Sequence, residues 1–285
     1  MADIFEVGVI GSGIMGSGLA EVAARAGYQA VVCSRSTTGA DSVLTRVTSG
    51  FDRQISRGRM TTDERDAILS RIRVTDQPSE LANCDLVIES VIEDLATKRA
   101  LFAELDRTVK PGAILATNTS TLPVIEMAMA TTRPELVCGI HFFNPAPVMK
   151  LVEVVKPLTA SADTIGRALE FAARCDKDAI TVADRAGFVV NALLFPYLNN
   201  AVRMWEMQTA TMEAIDTAMQ GGCGFPMGPF ALLDLVGLDT SLAILDALYQ
   251  EFGDANYAAV PTIRRMVAAG HLGRKTGQGF YNYAR

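Results

Sequence analysis

The stretch Val7-Gly8-Val9-Ile10-Gly11-Ser12-Gly13-Ile14-Met15-Gly16 restricts the fold more than any other part of the sequence. An apolar run over residues 5–10 leads straight into glycines spaced GxGxxG, and an amphipathic stretch over 15–26 follows, closed by Gly27. Gly11 permits a tight turn, Gly13 lets the backbone approach a pyrophosphate, and Gly16 lets the helix pack closely on the strand. The first N–H groups of the helix have no partner within it and favour an anion at that point. Strand, glycines and helix in this order predict a dinucleotide-binding βα unit, with Ile14 and Met15 beside the ligand. Spacing alone leaves open a glycine-rich turn that binds nothing.

The rest of the first half keeps the same rhythm. Strand-like runs fall at residues 29–33, 71–75, 85–88, 114–117, 136–140 and 151–155. Helical periods fall at 41–57, 62–70 and 95–109, the last carrying Leu101, Phe102 and Leu105 on one face. After about residue 183 the strand runs stop, and helical periods cover 187–207, 211–219, 230–236, 239–252 and 261–269. The prediction is an α/β Rossmann-type doubly wound sheet over 1–184 and an all-α domain over 185–285, hinged at Asp184-Arg185-Ala186-Gly187. A chain of 285 residues with 49% apolar and 20% charged side chains fits two soluble domains.

Charge and cysteine usage exclude several function classes. Twenty-six basic against 32 acidic residues leave −6, which argues against nucleic acid as partner but not against a local basic pocket. The five cysteines are odd in number and never spaced CxxC, so neither a disulfide framework nor a metal site is expected, and a reducing cytoplasm is. Asp3 and Glu6 stand where a signal peptide carries positive charge. The apolar stretch 187–198 is broken by Asn191 and Pro196 and falls short of the roughly 20 residues of a membrane helix. A cytoplasmic protein without membrane contact is predicted.

The second strand ends Val31-Val32-Cys33-Ser34-Arg35-Ser36, with no carboxylate until Asp41. A carboxylate there normally accepts hydrogen bonds from the adenosine ribose. Ser34 and Arg35 instead suit a ribose 2′-phosphate, the chemistry of NADP. The other reading has Arg35 lying over the adenine while NAD binds without its usual carboxylate.

Hydroxyl–ketone redox chemistry at a nicotinamide needs a group that takes the alcohol proton, a role suited to histidine. The chain has two histidines. His271 lies in a polar, glycine-flanked stretch, whereas His141 directly follows the run at 136–140, where open α/β sheets bind ligands. His141 is therefore the candidate base; a core histidine bonded to backbone is the alternative. Glu153 stands alone among apolar residues in Leu151-Val152-Glu153-Val154-Val155. Burying it requires a partner, and pairing with His141 would fix the imidazole tautomer; an edge-strand position facing water is the alternative. Asn118-Thr119-Ser120-Thr121 follows the run at 114–117 on the same rim, so Asn118 is placed toward the nicotinamide and Ser120 toward the substrate oxygen, unless the segment is only a helix cap. Asn191, if buried, needs a partner such as a substrate carbonyl.

These residues, with Val87-Ile88-Glu89-Ser90-Val91-Ile92-Glu93, His141 to Pro147, Met149 to Val155, Arg185 to Asn191, Pro226-Met227-Gly228-Pro229 and Gly277-Gln278-Gly279-Phe280-Tyr281, resemble the short-chain L-3-hydroxyacyl-CoA dehydrogenases over essentially the whole chain, in particular the bacterial 3-hydroxybutyryl-CoA group. The resemblance implies an NAD-binding Rossmann domain and a helical domain that dimerises. It implies His141 as base with Glu153 as its partner, and Ser120 and Asn191 around the substrate oxygen. Glu93, Lys98, Asn118, Ser120 and Asn144 would contact the cofactor, and the substrate would be a (3S)-hydroxyacyl-CoA thioester. Arg53, Arg57 and Arg59 would lie near the thioester carrier; a solvated helix face is their other reading. Ser34 departs from the family's ribose-binding aspartate, which leaves NAD and NADP both open. Three alternatives remain: a dehydrogenase of carrier-protein thioesters, a 3-hydroxyisobutyrate or 6-phosphogluconate type enzyme, and a non-enzymatic crystallin-like or redox-sensing dinucleotide binder. The second of these relies on a lysine early in its helical domain, and here none follows residue 184 until Lys275.

Overall fold

The computed structural model describes residues 4–283, so Asp3 lies outside the described residues. The chain divides into two compact units, Met1–Asp184 and Arg185–Arg285. The first is built on one eight-stranded sheet in the order β3-β2-β1-β4-β5-β6-β7-β8. Its strands are β1 (Glu6–Ile10), β2 (Gln29–Cys33), β3 (Ile72–Thr75), β4 (Leu86–Glu89), β5 (Ile114–Thr117), β6 (Val137–Phe142), β7 (Leu151–Lys156) and β8 (Asp178–Ala183). From β3 to β6 all pairs are parallel; β7 runs antiparallel to β6, and β8 pairs parallel with β7. This is the doubly wound sheet that the alternation of strand and helix periods predicts. Central strands of such a sheet are covered on both faces, and β4, β5 and β6 are accordingly buried at every position.

Helices α1 (Ile14–Arg25), α2 (Thr37–Ile55), α3 (Thr62–Leu69), α4 (Leu95–Thr108), α5 (Val124–Ala128) and α6 (Ala162–Arg174) complete this unit. Leu19, Val22 and Ala23 of α1, Val43, Val47 and Phe51 of α2, and Phe171 of α6 pack on Val7, Val9, Ile88 and Ile140 in one continuous core. Helix α2 begins at Thr37, four residues before the sequence period suggests, because the Ser36 hydroxyl accepts from Gly39 N at 3.2 Å and caps the helix through Thr-Thr-Gly. Two further elements, α6 and β8, fall in a stretch to which the sequence assigns nothing. Asp184, closing the unit, accepts from Val124 N at 2.9 Å and Ile125 N at 2.8 Å, holding the start of α5.

The second unit comprises α7 (Val190–Glu206), α8 (Met212–Cys223), α9 (Pro229–Val236), α10 (Leu238–Phe252) and α11 (Pro261–Ala268) around Phe195, Leu198, Phe230, Leu233, Leu245 and Phe280. Two buried carboxylates explain its sequence motifs. Asp216 accepts from Phe230 N at 2.8 Å and Ala231 N at 3.1 Å, filling the N-terminus of α9 behind Pro226-Met227-Gly228-Pro229. Asp234 accepts from Phe280 N at 2.9 Å and Tyr281 N at 2.8 Å, fastening Gly277 to Tyr281. Among the described residues no helix is long and apolar enough to cross a membrane.

Candidate active site

The glycine turn joins β1 to α1 as its spacing requires. Gly11 has φ +116°, and a Cβ there would lie 2.3 Å from Ser90 O. A Cβ on Gly16 would lie 1.9 Å from Gly11 O, so the turn closes only with glycine at both positions. Gly13 differs: nothing lies within 4 Å of its would-be Cβ. Its open side faces a cavity of about 900 Å³ at the carboxyl ends of β1, β2 and β4, also lined by Ile14, Met15, Ser34, Arg35 and Ser36. An extended dinucleotide fits this combination of open backbone, helix N-terminus and room. Ser34 is buried and donates to Ser12 Oγ at 3.0 Å, while Arg35 is exposed on the cavity wall. Asp76 and Glu104 also line the cavity.

His141 is the fifth residue of β6 and not, as the sequence reading has it, the residue after the strand; the ladder with β7 continues through Phe142 paired with Val152. In this antiparallel register His141 lies directly opposite Glu153, and opposite residues project to the same face. Glu153 is fully buried and its Oε2 lies 2.8 Å from His141 Nδ1. A carboxylate only accepts, so Nδ1 carries the proton and donates, which leaves Nε2 as an acceptor. Ser120 Oγ lies 3.2 Å from Nε2 and donates to it. The Phe143 ring packs at 4.5 Å between centroids against the imidazole.

The loop carrying Ser120 is tied from several sides. Asn118 Oδ1 accepts from Phe142 N at 2.8 Å, joining the ends of β5 and β6. Glu93 Oε1 accepts from Thr119 Oγ1 at 2.5 Å and from Ser120 N at 2.9 Å. Lys98 is 1% exposed, with Nζ 2.6 Å from Glu89 Oε1 and 3.3 Å from Glu93 Oε2. Glu93 and Lys98 thus meet at the foot of the Ser120 loop. Asn191 belongs to the second unit, buried in the first turn of α7.

Asn144 is exposed and lines a second hollow, a groove of about 750 Å³ against α1 and α2. Arg25, Arg46, Arg53, Arg57, Arg59, Lys150, Arg174 and Lys177 line it; Glu21 and Asp176 are the carboxylates among the lining residues. Burial holds the Glu21 carboxyl above its ordinary range despite the pull of Arg25. Burial likewise lowers Lys177, whose ammonium donates to Ala146 O at 2.7 Å and Met149 O at 2.9 Å and so anchors the segment after Asn144. His141 lines neither hollow; its Nε2 is turned to Ser120.

Sequence reasoning missed Arg46, Lys177 and Glu89. Arg46 Nη1 donates to Ser12 O at 2.9 Å and Ser17 Oγ at 2.6 Å, bracing the glycine turn from α2. An arginine on an exposed helix face gives no sequence signal of that contact. Glu89 had one, a lone carboxylate ending an apolar strand run, the same signal that identified Glu153.

Residues 6–185 match the model of the 3-hydroxyacyl-CoA dehydrogenase NAD binding domain, and residues 187–283 that of the 3-hydroxyacyl-CoA dehydrogenase C-terminal domain. The chain is 46% identical to a 3-hydroxybutyryl-CoA dehydrogenase of Mycobacterium tuberculosis, over 99% of this chain and 100% of that protein. It is 40% identical to the human mitochondrial hydroxyacyl-coenzyme A dehydrogenase, over 97% of this chain and 90% of that one. The solved (S)-3-hydroxybutyryl-CoA dehydrogenase from Ralstonia eutropha superposes with a TM-score of 0.96 at 38% identity, covering 99% of this chain and 100% of its own. The chain belongs to the 3-hydroxyacyl-CoA dehydrogenase family.

Proposed function

We propose that this protein reversibly oxidises (3S)-3-hydroxyacyl-CoA thioesters, 3-hydroxybutyryl-CoA foremost, to 3-oxoacyl-CoA, with His141 as general base. The observation that carries the reading is the arrangement of Glu153, His141 and Ser120 at the carboxyl end of the sheet that also carries the glycine turn. NAD(P), held by the Gly11–Gly16 turn and α1, supplies the hydride chemistry when bound. His141 Nε2 takes the hydroxyl proton in oxidation and returns it in reduction. Glu153 holds the Nδ1 tautomer and stabilises the imidazolium that results. Ser120, and Asn191 by family position, hydrogen-bond the substrate oxygen as charge develops on it. Glu93, Lys98, Asn118 and Asn144 serve the nicotinamide end, directly or by shaping the loops around it.

Ser34 and Arg35, with Ser36 capping α2 beside them, favour use of NADP(H) alongside NAD(H). The basic groove with Arg53 and Arg57 suits the phosphates of coenzyme A, and its concavity favours a nucleotide-bearing carrier over the convex surface of a carrier protein. The second unit exposes Leu193, Met204, Met207 and Leu235, an apolar supply for a homodimer interface. Acetoacetyl-CoA reduction followed with NADH and NADPH in parallel tests the reading. Turnover that disappears in His141→Ala with cofactor affinity kept is the expected result. No oxidation of either cofactor by the wild type would favour a non-enzymatic binder. Arg35→Ala should raise KM for NADPH with little change for NADH; equal effects would refute the 2′-phosphate contact.

A further inference from the structure

One fully buried ion pair includes a carboxylate, Glu89, that takes no part in the proposed chemistry. Glu89, last residue of β4, is fully buried, and so is the ammonium of Lys98 that it holds at 2.6 Å. Taking two charges out of water is costly, and an apolar pair of similar volume commonly stabilises a fold as well or better. Stability is therefore a poor account of this pair, and its connections suggest another.

Both oxygens of Glu89 hold the rim on which Ser120 sits. Oε1 accepts from Val91 N at 2.6 Å as well as from Lys98, fixing the segment that leads to Glu93. Oε2 accepts from Thr117 Oγ1 at 2.8 Å, and Thr117 Oγ1 in turn accepts from Thr119 N at 3.1 Å. A second route runs from the Lys98 ammonium to Glu93, whose Oε1 accepts from Ser120 N. Two chains of contacts thus start at one carboxylate and converge on Thr119 and Ser120, immediately before the hydroxyl that donates to His141 Nε2.

We propose that Glu89 is a positioning residue for the Ser120–His141 pair, acting through Thr117 and through Lys98 and Glu93. The proposal rests on the reading of His141 as base. Glu89 touches neither imidazole nor ligand. It keeps Lys98 from drawing the Glu93 carboxylate wholly to itself and so leaves Glu93 Oε1 to hold the Ser120 peptide. In Glu89→Gln the shape is kept, but Lys98 is left with Glu93 as its only full counter-charge among the partners described, and the Ser120 loop loosens.

The test is Glu89→Gln, with Glu89→Gln/Lys98→Met as a second variant that leaves no buried charge unpaired at that point. The chain has two histidines, so the imidazole nitrogen resonances of the ligand-free protein report His141 with His271 as internal reference. Both variants should shift the His141 Nε2 resonance toward its position in Ser120→Ala and leave His271 unmoved. Displacement of a reacting group by an ångström costs about a hundredfold, so turnover should fall about ten- to a hundredfold while KM for acetoacetyl-CoA stays within about threefold. A His141 resonance at its wild-type position in either folded variant overturns the proposal. So does turnover that returns with melting temperature in the double variant, and so does failure of both variants to fold, which would assign Glu89 to the fold alone. Inactivity of the wild type toward acetoacetyl-CoA would sink the functional reading instead, and the imidazole spectra would still judge the positioning.

Discussion

Glu153→Gln isolates what the buried carboxylate contributes. The substitution keeps volume and removes a charge that is inaccessible to solvent and 2.8 Å from His141 Nδ1. Because Glu153 is fully buried it can touch neither substrate nor cofactor, so its loss should act on turnover and leave KM and cofactor affinity nearly unchanged. A hydrogen bond to a charged group contributes about 1.5–3 kcal/mol, and the imidazolium that forms during oxidation is such a group. At about 1.4 kcal/mol per factor of ten, kcat should fall about 10- to 150-fold if the glutamine oxygen takes the place of Oε2. If the amide nitrogen faces Nδ1 instead, the tautomer is inverted, Nε2 becomes a donor, and the loss approaches about 10⁴-fold. The assay is the initial rate of acetoacetyl-CoA reduction at saturating NADH, with NADH binding measured separately by fluorescence. A kcat within about twofold of wild type, in a variant that melts normally, would refute the role of Glu153 and with it the tautomer argument.

Three further outcomes are expected. Gly13→Ala should fold normally, since its Cβ meets open space, yet bind NADH about tenfold or more weakly, whereas Gly16→Ala should lower the melting temperature outright because its Cβ meets Gly11 O; equal melting losses would contradict this division. Arg53→Ala/Arg57→Ala should raise KM for acetoacetyl-CoA about five- to tenfold in low salt, and leave unchanged KM for an acetoacetyl thioester lacking the nucleotide; equal effects on both thioesters would remove the groove from substrate binding. Asp85 accepts from Phe5 N, Glu6 N and Lys110; burial alone would raise its carboxyl, but these contacts outweigh it and hold it below the ordinary 3.8. A depressed folded-state value gives stability that is present above pH 3.8 and lost as pH falls through the lower folded value, so the denaturation gap between wild type and Asp85→Asn, about 1–3 kcal/mol at neutral pH, should close in acid. A gap independent of pH would show that charge plays no part.

The sheet was legible because its central strands are short, β-branched and buried on both faces, and the glycine turn fixed where they begin. What could not be read is the direction of β7. Nothing in Leu151-Val152-Glu153-Val154-Val155 says whether it lies parallel or antiparallel to β6, although that choice places Glu153 opposite His141. The edge strand β8 escaped notice because four of its six residues are exposed and its apolar signal is correspondingly weak. His141 and Glu153 were found because each is a titratable side chain where an apolar or ligand-facing one belongs. Lys98 was placed at the cofactor by resemblance, but burial between Glu89 and Glu93 is a three-dimensional fact with no local sequence pattern. Arg46 is hidden for the opposite reason, being one exposed arginine among several on α2 and the turn that follows it.

The reversal of β7 turns the contact between base and carboxylate into a question of phase. Successive residues along a strand point alternately up and down, so a slip of one step between β6 and β7 would not lengthen the contact; it would send the carboxylate to the far side of the sheet. Length changes within residues 143–150 would leave that pairing intact only if the ladder kept step, and they would still disturb Asn144 and the carbonyls that Lys177 holds. Such a slip has no intermediate degree: either the two side chains share a side or His141 loses its carboxylate partner altogether.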